Sequence, residues 1–304
     1  MELRDADLAV RTRGLTKSFG KRTVVDGLDL AIPRGGVYGF LGPNGSGKTT
    51  TMKMLLGLLH PSAGQISLLG EDPWGKARAR LMPRIGSMIE HPPGYGHLTG
   101  AENMRLLARL LNLETTRIDR ALELVRLTGH RDRLQRTYSL GMKQRLGIAM
   151  ALVREPELLI LDEPTNGLDP AGIEEIRELM IRLASGGVTV MISSHILDEI
   201  DRMADVLGVL SRGRLVFQGS REELFERSVP DLLVVTPQAD AAANLIKGCR
   251  LEGNGIRVQG CGQEDAARLI VRLVQAGIPI HEVRRLQRSL EEVFMDLTGG
   301  AEAL

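Results

Sequence analysis

The sequence predicts an α/β protein. Buried strands alternate with helices around a phosphate-binding loop, a helical insert interrupts this core, and a small α/β domain follows. Three observations support the prediction. Gly42-Pro43-Asn44-Gly45-Ser46-Gly47-Lys48-Thr49 has the spacing Gly, four residues, Gly-Lys-Thr. Short, mostly apolar runs at 37–41, 158–161 and 187–193 suit buried strands. Helical apolar spacing recurs between and after those runs.

The elements follow in chain order. Strand-like stretches at 8–12 and 24–30 are joined through Phe19-Gly20-Lys21-Arg22, a turn approach to the second strand. Residues 37–41 feed the glycine-rich loop, and the run from Lys48 through Leu59 reads as the next helix. In that strand–loop–helix setting several backbone N–H groups converge on phosphate oxygens, and the helix N-terminus adds positive potential. Residues 65–70 and 85–90 read as further strands, and His91-Pro92-Pro93-Gly94-Tyr95-Gly96 as irregular chain. Amphipathic helices over 101–113 and 118–127 belong to an inserted helical subdomain at about 91–155. The core resumes with a strand at 157–163, a helix at 173–184, a strand at 187–193 and a hairpin pairing 206–210 with 214–219. A short helix at 220–227 closes the first domain, 1–227. The second, 228–304, reads as β-α-β-α-β-α: strands at 231–236, 255–259 and 280–284, helices at 239–247, 264–276 and 290–297.

Composition narrows the function. The chain has 304 residues, 43% hydrophobic and only 3% aromatic, so Leu, Ile, Val and Met must fill the core. Lys plus Arg is 39 and Asp plus Glu is 38, which gives no broad basic surface, and no nucleic-acid partner is expected. Arg78-Ala79-Arg80 and Arg284-Arg285 read as solvated faces, and Cys249 and Cys261 as reduced thiols rather than a disulfide framework or metal cluster. The first residues do not read as a signal peptide, and no apolar run reaches the roughly 18 residues of a spanning helix. The expectation is a soluble or peripheral protein whose membrane link comes through a partner.

Candidate site residues follow from these placements. Asn44, Gly45, Ser46, Gly47 and Thr50 belong to the loop and helix start. Lys48 would reach the β- and γ-phosphates, and the Thr49 hydroxyl would hold Mg²⁺. Asp162, ending its apolar strand, is placed to orient Mg²⁺ through water. Glu163, one step on, is placed to act as general base on an attacking water. His195, after the next strand, either hydrogen-bonds the γ-phosphate or caps a helix. Phe19 is either an ordinary anchor or a flat surface for a purine. Asp198 and Glu199 read as helix-surface acids.

Taken together, these motifs resemble the nucleotide-binding subunit of an ATP-binding cassette (ABC) transporter over about 8–220. Gly42–Thr49 matches Walker A, 158–163 Walker B, Asn166-Gly167-Leu168-Asp169 the D-loop, His195 the switch histidine and Phe19 the aromatic residue that stacks on adenine. The resemblance implies an ABC ATPase core of the P-loop NTPase class, with ATP and Mg²⁺ as ligands. Ser139-Leu140-Gly141-Met142-Lys143-Gln144 is similar to the family signature, with Leu140 and Met142 where glycine and glutamine are commoner. In the family that loop faces ATP held by the other subunit, so Ser139 and Gly141 would act across a dimer; Asp169, in the D-loop match, is a further nucleotide-binding candidate.

Glu90 stands where the family usually has glutamine. It resembles the subgroup that exports or protects against bacitracin and lantibiotic peptides. It would ligate Mg²⁺, alter coupling, or be an exposed acid without a special role. The segment Ser289–Thr298 resembles the ending of drug-export ATPase subunits, which implies an accessory domain for dimer contacts or regulation. The resemblance therefore implies an ATP-hydrolysing subunit that pairs with a second copy of itself and drives integral membrane permease subunits from the cytoplasmic face. Peptide antibiotics or other drugs lead as cargo, lipids stay open, and the rival is a soluble cassette ATPase in DNA repair or translation.

Overall fold

The computed structural model describes residues 4–226, 229–286 and 292–295. It divides into two compact units, with the break between Ser220 and Arg221.

The first unit opens with an antiparallel sheet. β1 (Leu8–Phe19) is its centre, and β2 (Arg22–Leu28), β3 (Ala31–Pro33) and a later strand pair with it. The apolar β4 (Val37–Leu41) is buried at every residue and feeds the glycine-rich loop into α1 (Lys48–Leu55). The helix ends at Leu55 rather than running to Leu59, because Gly57 takes a left-handed φ of +65° and turns the chain. β5 (Ala63–Leu68) returns to β1. The short α2 (Arg78–Leu81) contradicts the reading of Arg78 as a solvated residue. Its guanidinium lies over the Trp74 ring and donates to the Pro73 carbonyl at 3.0 Å.

β6 (Ile85–Met88) precedes the irregular chain, and the insert then contributes α3 (Gly100–Leu110), α4 (Thr116–Leu124) and α5 (Leu140–Leu152). A reciprocal cap starts α3: the Glu102 N–H donates to Thr99 Oγ1 at 3.1 Å, and the Thr99 N–H donates to Glu102 Oε2 at 2.7 Å. α5 is buried nearly all round from Leu146 to Leu152, which suits a helix that runs back to the core. β7 (Leu158–Asp162), α6 (Pro170–Ser185), β8 (Thr189–Ser194), α7 (Leu197–Asp201) and the hairpin β9 (Val206–Ser211)–β10 (Arg214–Gly219) complete the unit.

The second sheet has the order β10-β9-β4-β8-β7-β6 and is parallel except at the β9–β10 hairpin. Adjacent β4, β8 and β7 end level with one another: Leu41 pairs with Ser194, and Ser193 with Asp162. The chain therefore leaves three neighbouring strands at one edge, the carboxyl edge where open α/β sheets hold ligands.

The second unit contains α8 (Arg221–Glu226), β11 (Asp231–Val235), α9 (Ala239–Leu245), β12 (Cys249–Glu252), β13 (Gly255–Val258), α10 (Gln263–Gln275) and β14 (Glu282–Leu286). Its strand order β12-β13-β11-β14, antiparallel throughout, is the split β-α-β arrangement. The expected order lacked β12. That strand is short and three of its four residues are exposed, so it carries no apolar run. The ending at 289–298 lies outside the described residues, apart from a helical turn over 292–295.

Candidate active site

The loop after β4 holds its shape through glycine. Gly45 and Gly47 have φ of +77° and +111°. A Cβ at Gly47 would come within 3.0 Å of the Val24 carbonyl oxygen, so the loop lies against β2 only because no side chain is there. The Lys48 side chain is buried. Its Nζ donates to the Gly42 carbonyl at 2.6 Å and lies 3.3 Å from Glu163 Oε1. Ser46 is also buried, and its hydroxyl has no partner among the described residues.

The ends of β7 and β8 supply the facing groups. Thr49 Oγ1 donates to Asp162 Oδ2 at 2.7 Å. Ser193 Oγ donates to Asp162 Oδ1 at 2.6 Å and accepts from the Glu163 N–H at 2.9 Å. Glu163 sits at φ +48°, a left-handed conformation costly for a non-glycine residue, where the surrounding contacts hold it. Its Oε2 is 2.7 Å from His195 Nδ1. A cleft of about 550 Å³ opens here, lined by loop residues 43–50 and by Arg22, Val24, Glu163, Asn166 and His195.

The chemistry of this cleft is that of a polyphosphate site. Backbone N–H groups, a helix N-terminus, the Lys48 ammonium and the unpaired Ser46 hydroxyl all favour phosphate oxygens. The Thr49 hydroxyl and Asp162 carboxylate are hard oxygen donors that suit Mg²⁺, a cation that takes few protein ligands and draws the rest from phosphates and water.

The structure gathers Asn44, Gly45, Ser46, Gly47, Lys48, Thr49, Thr50, Glu163 and His195 around one cleft, with Asp162 hydrogen-bonded to Thr49. It does not bring in the others. Phe19 is 51% exposed with Lys17 Nζ 5.1 Å from its ring centre, and its cross-strand partner Arg22 lines the cleft instead. Ser139, Gly141 and Asp169 line a separate cavity of about 410 Å³ with Arg126, Arg145 and Glu175. There Ser139 caps α5 and Asp169 caps α6 through side-chain oxygens. Glu90 is exposed, sits at φ +65°, and accepts from Lys53 Nζ on α1 at 2.6 Å. That hydrogen bond and the ammonium charge hold its carboxyl below the usual carboxylate range.

Sequence reasoning missed Arg22 and Ser193 and misplaced Glu199. Ser193 was signalled only as a polar residue ending an apolar run. Glu199 is buried, not a surface acid, because α7 begins two residues after His195 and packs back on the core through Leu197 and Ile200. The Asp198 side chain lies outside what is described.

The family model described as ABC transporter matches residues 25–166. Bacitracin transport ATP-binding protein BcrA of Bacillus licheniformis is 41% identical over 301 residues, covering 96% of this chain and 97% of the relative. The protein of the same name from Enterococcus faecalis is 39% identical over 302 residues, covering 97% of each. Lantibiotic transport ATP-binding protein SrtF of Streptococcus pyogenes is 43% identical over 226 residues, 72% of this chain and 97% of the relative. Among solved structures, cbiO1 from Clostridium perfringens, described as part of the ABC transporter complex cbiONQ, superposes with a TM-score of 0.67 at 30% identity, covering 73% of this chain and 92% of that one.

Proposed function

This chain belongs to the ATP-binding subunits of ABC transporters, and from that premise we propose that it hydrolyses ATP to power export of peptide antibiotics of the bacitracin and lantibiotic kind. One observation carries the catalytic part: Lys48, Thr49, Asp162, Glu163 and His195 meet at a single cleft beside the glycine-rich loop. The names of the bacitracin and lantibiotic relatives support the cargo class.

Backbone N–H groups of the loop and Lys48 hold the β- and γ-phosphates. Thr49 and, through water, Asp162 would hold Mg²⁺, which would supply positive charge against the phosphate oxygens. The Lys48–Glu163 contact gives binding a consequence. Phosphate oxygens replace Glu163 at Lys48 and free its carboxylate for water. Glu163 takes the proton as the water oxygen bonds to the γ-phosphorus and the bond to the bridging oxygen breaks, leaving ADP with the electron pair. His195, already against Glu163, donates to the γ-phosphate.

A second copy completes the assembly. Ser139, Gly141 and Asp169 line their own cavity apart from Lys48, which supports their use on ATP held by a partner copy. Among the described residues no helix is long and apolar enough to cross a membrane. The proposed assembly includes membrane permease subunits that hold the chain at the cytoplasmic face, a reading supported by the transport names of the relatives. The stretch 90–102, with Glu90, is the proposed contact for them, and the C-terminal unit an accessory or dimerisation domain.

The test is ATP turnover by the intact complex with Glu163→Gln. Turnover falls about 10²-fold or more while ATP binding persists. Parent-level turnover would remove Glu163 from the mechanism.

A further inference from the structure

The loop that follows Glu163 is anchored by a buried pair that the hydrolytic mechanism does not use. Thr165 is 2% exposed and Glu199 is 7% exposed. Thr165 Oγ1 donates to Glu199 Oε2 at 2.5 Å, and Ser194 Oγ approaches the same oxygen at 3.4 Å. Glu199 Oε1 is buried without a partner among the described residues. A buried carboxylate with one oxygen unmatched is costly, so its single strong hydrogen bond is the contact that justifies its place.

The position of the pair is informative. Two backbone turns carry the chain from Glu163 to Asp169: the Asn166 N–H donates to the Glu163 carbonyl and the Leu168 N–H to the Thr165 carbonyl, each at 3.1 Å. Thr165 is the last buried residue before Asn166 and Gly167 become exposed. On the other side, Glu199 lies on α7, one turn past His195. The two segments are thus tied three times in succession: Ser193 to Asp162 and Glu163, His195 to Glu163, and Glu199 to Thr165. The first two ties touch groups of the cleft. The third reaches beyond it, to the start of the exposed stretch.

We infer that Glu199 and Thr165 are positioning residues for hydrolysis: their hydrogen bond makes the His195 segment and the 163–169 loop move as one body. A displacement of His195 at the γ-phosphate is thereby passed to Asn166–Asp169, the stretch that the proposed dimer would present to its partner. This rests on the proposed ATPase reading and extends it to two residues outside the cleft.

The experiment compares Thr165→Val, Thr165→Ser, Glu199→Ala and the Val/Ala double variant in the intact transporter complex. Steady-state ATPase gives kcat, and binding of trinitrophenyl-ATP gives affinity. Thr165→Val keeps the volume and loses the donor, so kcat falls about tenfold while affinity stays within about twofold. Thr165→Ser restores kcat, and the double variant is no slower than Glu199→Ala alone. Parent-level kcat in Thr165→Val, multiplicative losses in the double variant, or loss of affinity equal to the loss of kcat would each overturn the inference. A Thr165→Val chain that fails to fold while Thr165→Ser folds would do so too, by making the bond a stability element. Glu163→Gln, run alongside, reports separately on the catalytic assignment.

Discussion

Ser193→Ala removes a hydroxyl that joins both acidic residues at the end of β7. The side chain is fully buried, so water cannot take its place. Two hydrogen bonds are lost, one to the Asp162 carboxylate at 2.6 Å and one from the Glu163 N–H at 2.9 Å. A bond to a charged group contributes about 1.5–3 kcal/mol and a neutral one about 0.5–1.5, so the variant loses about 2–4.5 kcal/mol. For a unit of this size that lowers the melting midpoint by about 4–18 °C. The kinetic effect has a different origin. Glu163 holds a left-handed φ of +48° and its N–H bond to Ser193 is part of what maintains it. Released, the backbone relaxes and the carboxylate leaves its line to Lys48 and His195. A displacement of about 1 Å at a reacting group can cost about 10²-fold in rate. Thermal melting and steady-state ATPase of the purified complex measure the two effects together. A midpoint within about 1 °C of the parent with unchanged kcat would refute the reasoning, since buried bonds of this kind cannot be lost without a measurable shift.

Gly47→Ala places a Cβ 3.0 Å from the Val24 carbonyl at φ +111°, so the melting midpoint drops by at least several degrees and trinitrophenyl-ATP binds more weakly; a parent-like melt and affinity would show that the loop tolerates the methyl. Glu90→Gln and Lys53→Gln each break a surface ion pair, so stability changes little, while the ratio of ATP hydrolysed to cargo exported changes; an unaltered ratio in both would remove Glu90 from coupling. The Arg84 guanidinium holds the Glu157 carboxyl below its ordinary value through a two-point contact at 2.6 and 2.8 Å. That folded-state lowering stabilises the protein above the unfolded pKa and is lost as pH falls through the folded one. Glu157→Gln is therefore slightly less stable than the parent at neutral pH and equal to it in strong acid; a gap that widens in acid would reverse the sign.

Most of the fold is legible in the sequence. β4, β7 and β8 are short apolar runs, and a run with no polar alternation has few places to go except a sheet covered on both faces. The loop between β4 and α1 was legible for a related reason: local backbone geometry demands glycine at Gly47, and local geometry is written in local sequence. β12 was not legible, since a strand with mostly exposed residues owes its existence to pairing with β13.

The site divides along the same line. Sequence alone singled out Lys48, Thr49, Asp162, Glu163 and His195 as candidates, because each lies in a recognisable loop or at the end of a recognisable strand. Tertiary structure decided how they are held: Lys48 against Glu163, Ser193 across two acids, Glu90 on Lys53, and Glu199 buried against Thr165. Those contacts join residues from about 30 to over 100 positions apart, and they depend on strand order and register. A short-range pattern specifies the chemistry a segment carries; only the packing of β4, β8 and β7 side by side specifies which chemistry meets which.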